Sequence, residues 1–214
     1  MRIEDLDLMP YRDAWALQEK VHAEVADGGE ERVLLVEHPP VITLGRRAEL
    51  SQAHLKADAA HLQKIGVELV HSDRGGDITF HGPGQLVAYP IIRLADHKLS
   101  VGGYVRRLQE CVADALGKLG VIAQLDPECV GVWVDRGGVL AKVCAVGVRI
   151  RRGVTMHGLA LNVEPDLTFY DLIIPCGIEC RPVTSLHQLM HHKAPSFAAV
   201  KVVLGQSLLR GLSQ

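Results

Sequence analysis

The chain has 214 residues, 48% of them hydrophobic and 22% charged, with a formal net charge of -2. That suits one globular domain with a substantial core, and leaves no cationic excess to attract nucleic acid or an anionic membrane. The opening Met-Arg-Ile-Glu-Asp-Leu-Asp is too acidic for a secretory leader and no apolar run reaches spanning length, so a cytoplasmic location with five free thiols is expected.

Residues 12–27 place Trp15, Leu17, Val21 and Val25 near helical spacing, and Gly28-Gly29 supplies a stop. Short apolar strands are predicted at 32–37 and 41–44, separated by His38-Pro39-Pro40, which cannot continue a ladder. Gly45-Arg46-Arg47 opens a basic turn, a weak helix covers 58–65 up to Gly66, and 67–70 reads as a strand. The stretch 74–85 carries four glycines and a proline around a four-residue extended core, with Thr79 and His81 on alternate positions. Glycine lets backbone N–H groups approach a ligand, yet the spacing matches neither the P-loop nor the dinucleotide fingerprint.

A strand follows at 86–94, where Pro90 argues for a bulge or an edge position. Ser100 then caps a helix whose apolar stripe runs from Val101 through Leu108, Val112 and Leu116 to Leu119, with Gly120 as its stop. Strands are predicted at 121–125 and 129–134, and Asp135-Arg136-Gly137-Gly138 turns the chain into a hairpin spanning 140–162. Alternation along its first strand puts Leu140, Lys142, Cys144, Val146 and Val148 on one face, so Lys142 is a single amine among aliphatic neighbours. Such a lysine either snorkels to water or is partly desolvated, and a desolvated lysine can act as a base.

Cys176, between Pro175 and Gly177, follows an apolar run; if its loop folds back on the Lys142 strand, a thiol and an amine meet. Farther on, Thr184 or Ser185 caps a short helix, and 196–212 carries an apolar helical stripe. Strands outnumber helices and several are joined by tight turns, which predicts one α+β domain over 1–214: a mixed β-sheet with flanking helices.

Taken singly, these residues have plainer readings. A free cysteine is usually a small buried hydrophobe, and Cys111, Cys129 and Cys144 lie in apolar patterns that make them buried, inert thiols. Cys180 is a poor match to a structural zinc site, so no metal is expected. His191-His192 is expected to be solvated. His81 and His157 singly read as structural, and Lys142 singly reads as a surface lysine at a strand end.

In combination, the segments resemble the octanoyl-[acyl carrier protein]:protein N-octanoyltransferases, also called lipoate–protein ligase B. The resemblance runs through Glu37-His38-Pro39, Gly45-Arg46, Arg74-Gly-Gly, His81-Gly-Pro-Gly-Gln85, Gly131-Val-Trp133 and Lys142. It continues through Ala145-Val-Gly147, His157-Gly-Leu-Ala160, Pro175-Cys-Gly177 and Val183-Thr-Ser185. It implies a biotin protein ligase/lipoate ligase-like fold, an acyl-thioester on Cys176, and a Lys142 that lowers the pKa of that thiol.

The implied substrate pocket comprises Arg74, Gly75, Gly76, Asp77, Ile78, Thr79, Phe80 and His81. From the hairpin it takes Ala145, Val146, Gly147, His157, Gly158, Leu159 and Ala160. The implied donor is octanoyl-acyl carrier protein, and the acceptors are lipoyl domains of 2-oxoacid dehydrogenase complexes and the glycine cleavage H protein. The donor is already activated, so no cofactor is expected. Two other readings share some of these features: an ATP-dependent lipoate or biotin ligase, and a non-catalytic thiol- or metal-binding protein.

Overall fold

A computed structural model describes residues 1–46, 52–174 and 181–213. In chain order these form β1 (Arg2–Leu8), α1 (Tyr11–Ala26), β2 (Arg32–Glu37), β3 (Val41–Leu44), α2 (Ala59–Lys64) and β4 (Glu68–His71). Next come β5 (Ile78–His81), β6 (Gln85–Ile91), α3 (Val101–Lys118), β7 (Gln124–Leu125), β8 (Val132–Asp135), β9 (Leu140–Arg151) and β10 (Val154–Asn162). A 3-10 helix at Leu167–Leu172 precedes α4 (Leu186–Met190) and α5 (Phe197–Leu212).

Seven strands make the main sheet in the order β1-β2-β6-β10-β9-β8-β7, and β4-β3-β5 make a smaller one. The β1–β2 and β3–β4 pairs are parallel and the other pairs antiparallel, so both sheets are mixed, as predicted. Ser100, Ser185 and Ser196 each accept a backbone N–H in the first turn of α3, α4 and α5, satisfying one of the donors a helix start leaves open. Arg152 and Gly153, at φ 52° and 76°, form the two-residue turn of the β9–β10 hairpin, whose left-handed pair matches the twist of the strands.

Alternate residues send the strands' side chains to opposite faces of the main sheet. On one face Val33, Leu35, Leu86, Leu159 and Leu161 pack beneath Leu108, Val112 and Leu116 of α3 and Leu204 and Leu208 of α5. On the other, Leu34, Val36, Val87, Tyr89 and Ala160 meet Ala14, Val21 and Val25 of α1. The small sheet keeps its own core of Ile42, Leu44, Leu62, Ile78 and Phe80.

The structure departs from the sequence reading in several places. First, β1 was not foreseen: it has no strong apolar alternation because it is an edge strand, charges blunt its exposed side, and Asp5 pairs with Lys201 at 2.8 Å. The second concerns Pro90, which lies inside the sheet on β6, not at an edge. The β6–β10 ladder lapses after the Ala88–Leu159 pair and resumes in unchanged register at Arg93–Val154. Pro90 has no N–H to lose in that gap, and its carbonyl accepts from Thr155 Oγ1 at 2.7 Å.

The third change decides the site. The β8–β9 register shifts between Val132 and Trp133: Trp133 pairs with Lys142 but Val132 pairs with Cys144, leaving Val143 as a bulge. A bulge resets the alternation. Val143 and Cys144 therefore both enter the α3-side core, followed on that side by Val146 and Val148. Lys142 lies on the opposite face with Ala145 and Gly147, not with Cys144, Val146 and Val148 as strict alternation predicts. The predicted strand at 121–125 shrinks to Gln124–Leu125, and Cys129 falls in the bend before β8.

Candidate active site

A cavity opens on the α1-side face of β10 and β9, between the main sheet and the 74–81 segment. Its floor is made of small residues set abreast, Gly147 opposite Gly158 and Ala145 opposite Ala160. Ile78, Thr79 and His81 of β5 roof it, Tyr11 closes one side, and Lys142 lines it.

Lys142 is buried, with 7% of its surface exposed, in a cradle built by the bend before β8. Its ammonium lies 4.7 Å from the centre of the Trp133 ring and donates to Cys129 Sγ at 3.7 Å. Trp133 Nε1 donates to the Cys129 carbonyl at 3.0 Å, tying ring and thiol into one unit. Gly131 stands where the lysine stem passes: a Cβ there would lie 3.0 Å from Lys142 Cε and 2.9 Å from the Cys144 carbonyl oxygen. This cradle accounts for the Gly131-Val132-Trp133 motif. Attraction between a cation and a desolvated aromatic face is worth about 2 kcal/mol or more.

Cys176 and Cys180 lie outside the described residues, as do Pro175 and Gly177. The chain around them is anchored on both sides. Ile174 N–H donates to the His54 carbonyl at 2.8 Å, Lys142 N–H to Pro182 O at 2.9 Å, and Thr184 N–H to Lys142 O at 2.9 Å. The strand position beside Lys142 that β10 no longer reaches is thus filled by Val183, the partner of Lys142 in a parallel bridge.

The 74–85 segment is held by backbone contacts. Gly75 N–H donates to Val148 O at 2.9 Å and Gly84 N–H to Glu37 Oε2 at 2.8 Å. These glycines let backbone approach backbone, and their N–H groups are spent inside the protein instead of being aimed at a ligand. Arg74 is buried and bridges to β3, its Nε on Thr43 Oγ1 at 3.0 Å and one Nη on Thr43 O at 2.6 Å. Asp77 holds His54 Nδ1 at 2.6 Å.

Around the inner end stands a buried group of rings. Tyr11 stacks on His81 with centroids 5.8 Å apart, and His38 lies edge-on to Tyr11 at 5.3 Å. Burial pushes the His38 imidazole down to about 4, and desolvation aided by the Arg74 and Arg149 cations takes His157 to about 3. Asp73 accepts from His157 Nε2 at 2.6 Å, but its charge is matched by Arg149, so burial prevails. Burial, then the nearby His38, drives His81 well below its usual value. All three rings are neutral at pH 7. His81 turns Nδ1–H to Gln85 Oε1 at 2.7 Å, because the Gln85 amide nitrogen is engaged by Phe80 O and Asn162 Oδ1. His81 and His157 thus spend their N–H groups on protein and offer lone pairs, not donors.

Of the expected pocket residues, Arg74, Gly76, Asp77, Ile78, Thr79, His81, Ala145, Val146, Gly147, His157, Gly158, Leu159 and Ala160 line this one cavity. Phe80 does not. It points from the far side of β5 into the small-sheet core, stacked on Phe169 at 4.7 Å. Gly75 serves through its bond to Val148. The sequence reading passed over Tyr11, Val87, Tyr89 and Val130, which also line the cavity. Val87 and Tyr89 lie in an apolar strand pattern that reads as core, and the small residues opposite them open that face to the cavity. Cys111 and Cys144 are buried thiols pushed by desolvation up to about 11 and about 12. Cys129 is buried too, but against Lys142. Among the described residues no group of three or more His, Cys, Asp or Glu side chains could hold a metal ion, and no helix is long and apolar enough to cross a membrane.

The fold is that of the biotin and lipoate protein ligases. The bipartite lipoate protein ligase of Thermoplasma acidophilum superposes with a TM-score of 0.76 at 17% identity, over 99% of this chain and 83% of that one. The Aquifex aeolicus biotin protein ligase in complex with biotin and ATP gives 0.55 at 14% identity, over 99% and 70%. Residues 10–209 match the lipoyl protein ligase A/B catalytic domain family. The octanoyltransferase of Chloroflexus aurantiacus is 48% identical over 188 residues, 87% of this chain and 82% of that one; that of Bacteroides fragilis is 43% identical over 215 residues, 97% and 96%. The chain belongs to the octanoyltransferase family.

Proposed function

We propose that this chain moves an octanoyl group from octanoyl-acyl carrier protein, through a thioester on Cys176, to the lysine amine of a lipoyl domain. The observation that carries the reading is Lys142, a buried ammonium at a cavity floored by glycine and alanine, with Pro182 and Thr184, a few positions beyond Cys176 in the chain, bonded to its own backbone. An ammonium near a thiol favours the thiolate, which is the attacking species. The thiolate adds to the donor's thioester carbonyl, the pantetheine sulfur leaves and takes a proton from the Lys142 ammonium, which becomes neutral, and the acyl group rests on Cys176. The acceptor lysine enters as a neutral amine and attacks the thioester carbon; its proton passes to Lys142 once that group has become neutral, and the Cys176 thiolate leaves. The neutral His81 and His157 help shape the inner cavity.

The proposed acceptors are the lipoyl domains of 2-oxoacid dehydrogenase complexes and the glycine cleavage H protein. Mixing the protein with octanoyl carrier protein and no acceptor tests the reading. Intact mass should rise by one octanoyl group, mapped by peptide mass to Cys176, with no ATP or magnesium present. An adduct on Cys180, or a strict need for ATP with free octanoate, would overturn it.

A further inference from the structure

The cavity has a built end wall. Two rows of residues cross the main sheet beneath it, and each starts small and finishes large. Ala145 on β9 faces Ala160 on β10, which faces Val87 on β6. Gly147 faces Gly158, and the same register carried one step on sets Tyr89 opposite Gly158. Side chains of all three strands stand on the same face, so the floor ends where Val87 and Tyr89 rise from it.

The dimensions match. From β9 to β6 is two strand spacings, about 9.6 Å. An extended eight-carbon chain measures about 9 Å from its bond lengths and angles. The floor lies close against its neighbours: a Cβ on Gly158 would lie 2.1 Å from the Ala88 carbonyl oxygen, and one on Gly147 2.8 Å from Gly75 O.

The wall is braced from behind. Tyr89 is 3% exposed, and its hydroxyl donates to His38 Nε2 at 2.7 Å. His38 in turn donates from Nδ1 to the Met9 carbonyl at 2.7 Å. A buried ring fixed by two linked hydrogen bonds does not swing aside for a longer ligand. Val87, 1% exposed, is wedged between β2 and β10 in the same layer.

We propose that Val87 and Tyr89 are the end stop that selects the length of the transferred acyl chain. The inference rests on the acyl-transfer reading above and deepens it. One methylene more or fewer in an apolar pocket changes kcat/KM by roughly 10- to 200-fold. Val87→Ala should therefore raise the decanoyl-to-octanoyl ratio of kcat/KM by about tenfold or more. Val87→Ile should shift preference the other way, raising the hexanoyl-to-octanoyl ratio. Both are measured with hexanoyl, octanoyl and decanoyl carrier protein, alongside thermal melts.

A merely structural role for Val87 would depress all three donors alike, leaving the ratios where they are in the parent. Unmoved ratios in the folded variants would overturn the end stop; if Val87→Ala does not fold, Val87→Ile decides alone. Failure of the parent protein to use any acyl carrier would instead remove the transfer reading, a result readily told from the first.

Discussion

The two faces of the main sheet are made by the same strands and do opposite things. Toward α3 and α5, Leu86, Leu159, Leu161 and Cys144 interlock with helix side chains in one buried cluster. Toward α1 and the small sheet, the residues between them, Ala160, Gly158, Ala145 and Gly147, leave a cavity. The lesson is that the site stands over the face where residues are small, with the Gly75 and Ala88 carbonyls drawn close to Gly147 and Gly158, while the other face is filled by large side chains. A single bulge at Val143 decides on which face the reactive amine stands.

The sharpest break of this comparison uses the thiols. Cys176→Ala should abolish both octanoyl adduct and turnover. Cys144→Ala, on the packed face where burial has pushed the thiol up to about 12, should keep both, read by intact mass and transfer assay. Next in size is the amine: Lys142→Ala should slow acylation by roughly 10²–10⁴-fold, the scale of a lost acid–base group. Its pH–rate profile should climb toward alkaline pH as Cys176 ionises unaided. An unchanged rate and profile would remove Lys142 from the chemistry.

Moving bulk across the faces gives a smaller, paired effect. Ala160→Val narrows the cavity and should cut octanoyl transfer by about tenfold or more while the melt barely moves. Leu161→Ala, one residue on and facing α3, should do the reverse: stability falls by about 2–5 kcal/mol, with transfer per folded molecule retained. Equal behaviour of the two variants would mean the faces are not specialised.

The mildest test is pH. His38 titrates near 4 when folded against 6.5 unexposed to the fold, so the unfolded chain takes up its proton first as pH drops. Its contribution to stability is whole above pH 6.5 and is lost between 6.5 and about 4, by up to about 1.4 kcal/mol per pH unit. His38→Asn, which can still donate to Met9 O, should lessen the fall of melting temperature across that window without abolishing it, since His81 and His157 are also held neutral by burial.

Local physics explains what was legible in the chain alone. The stripe and caps of α3, the Arg152-Gly153 turn and the short extended core of 78–81 depend on residues within a few positions of one another. They were readable for that reason. The Arg74-Gly-Gly and His81-Gly-Pro-Gly segments pointed to the cavity, which Arg74, Gly76 and His81 line, while Pro175-Cys-Gly lies outside the described residues. Phe80 was misplaced because alternation on β5 sends it away from Thr79 and His81.

What tertiary structure alone decided comes from pairing between distant strands. The Val143 bulge exists only because β8 pairs with β9 out of step, and it turns Lys142 away from Cys144. Pro90 is tolerated inside the sheet because the β6–β10 ladder lapses there and Thr155 caps its carbonyl. Val87 and Tyr89 read as core in sequence; they become the wall of a cavity because glycine and alanine stand opposite them, more than sixty positions away in the chain, a relation that no local pattern contains.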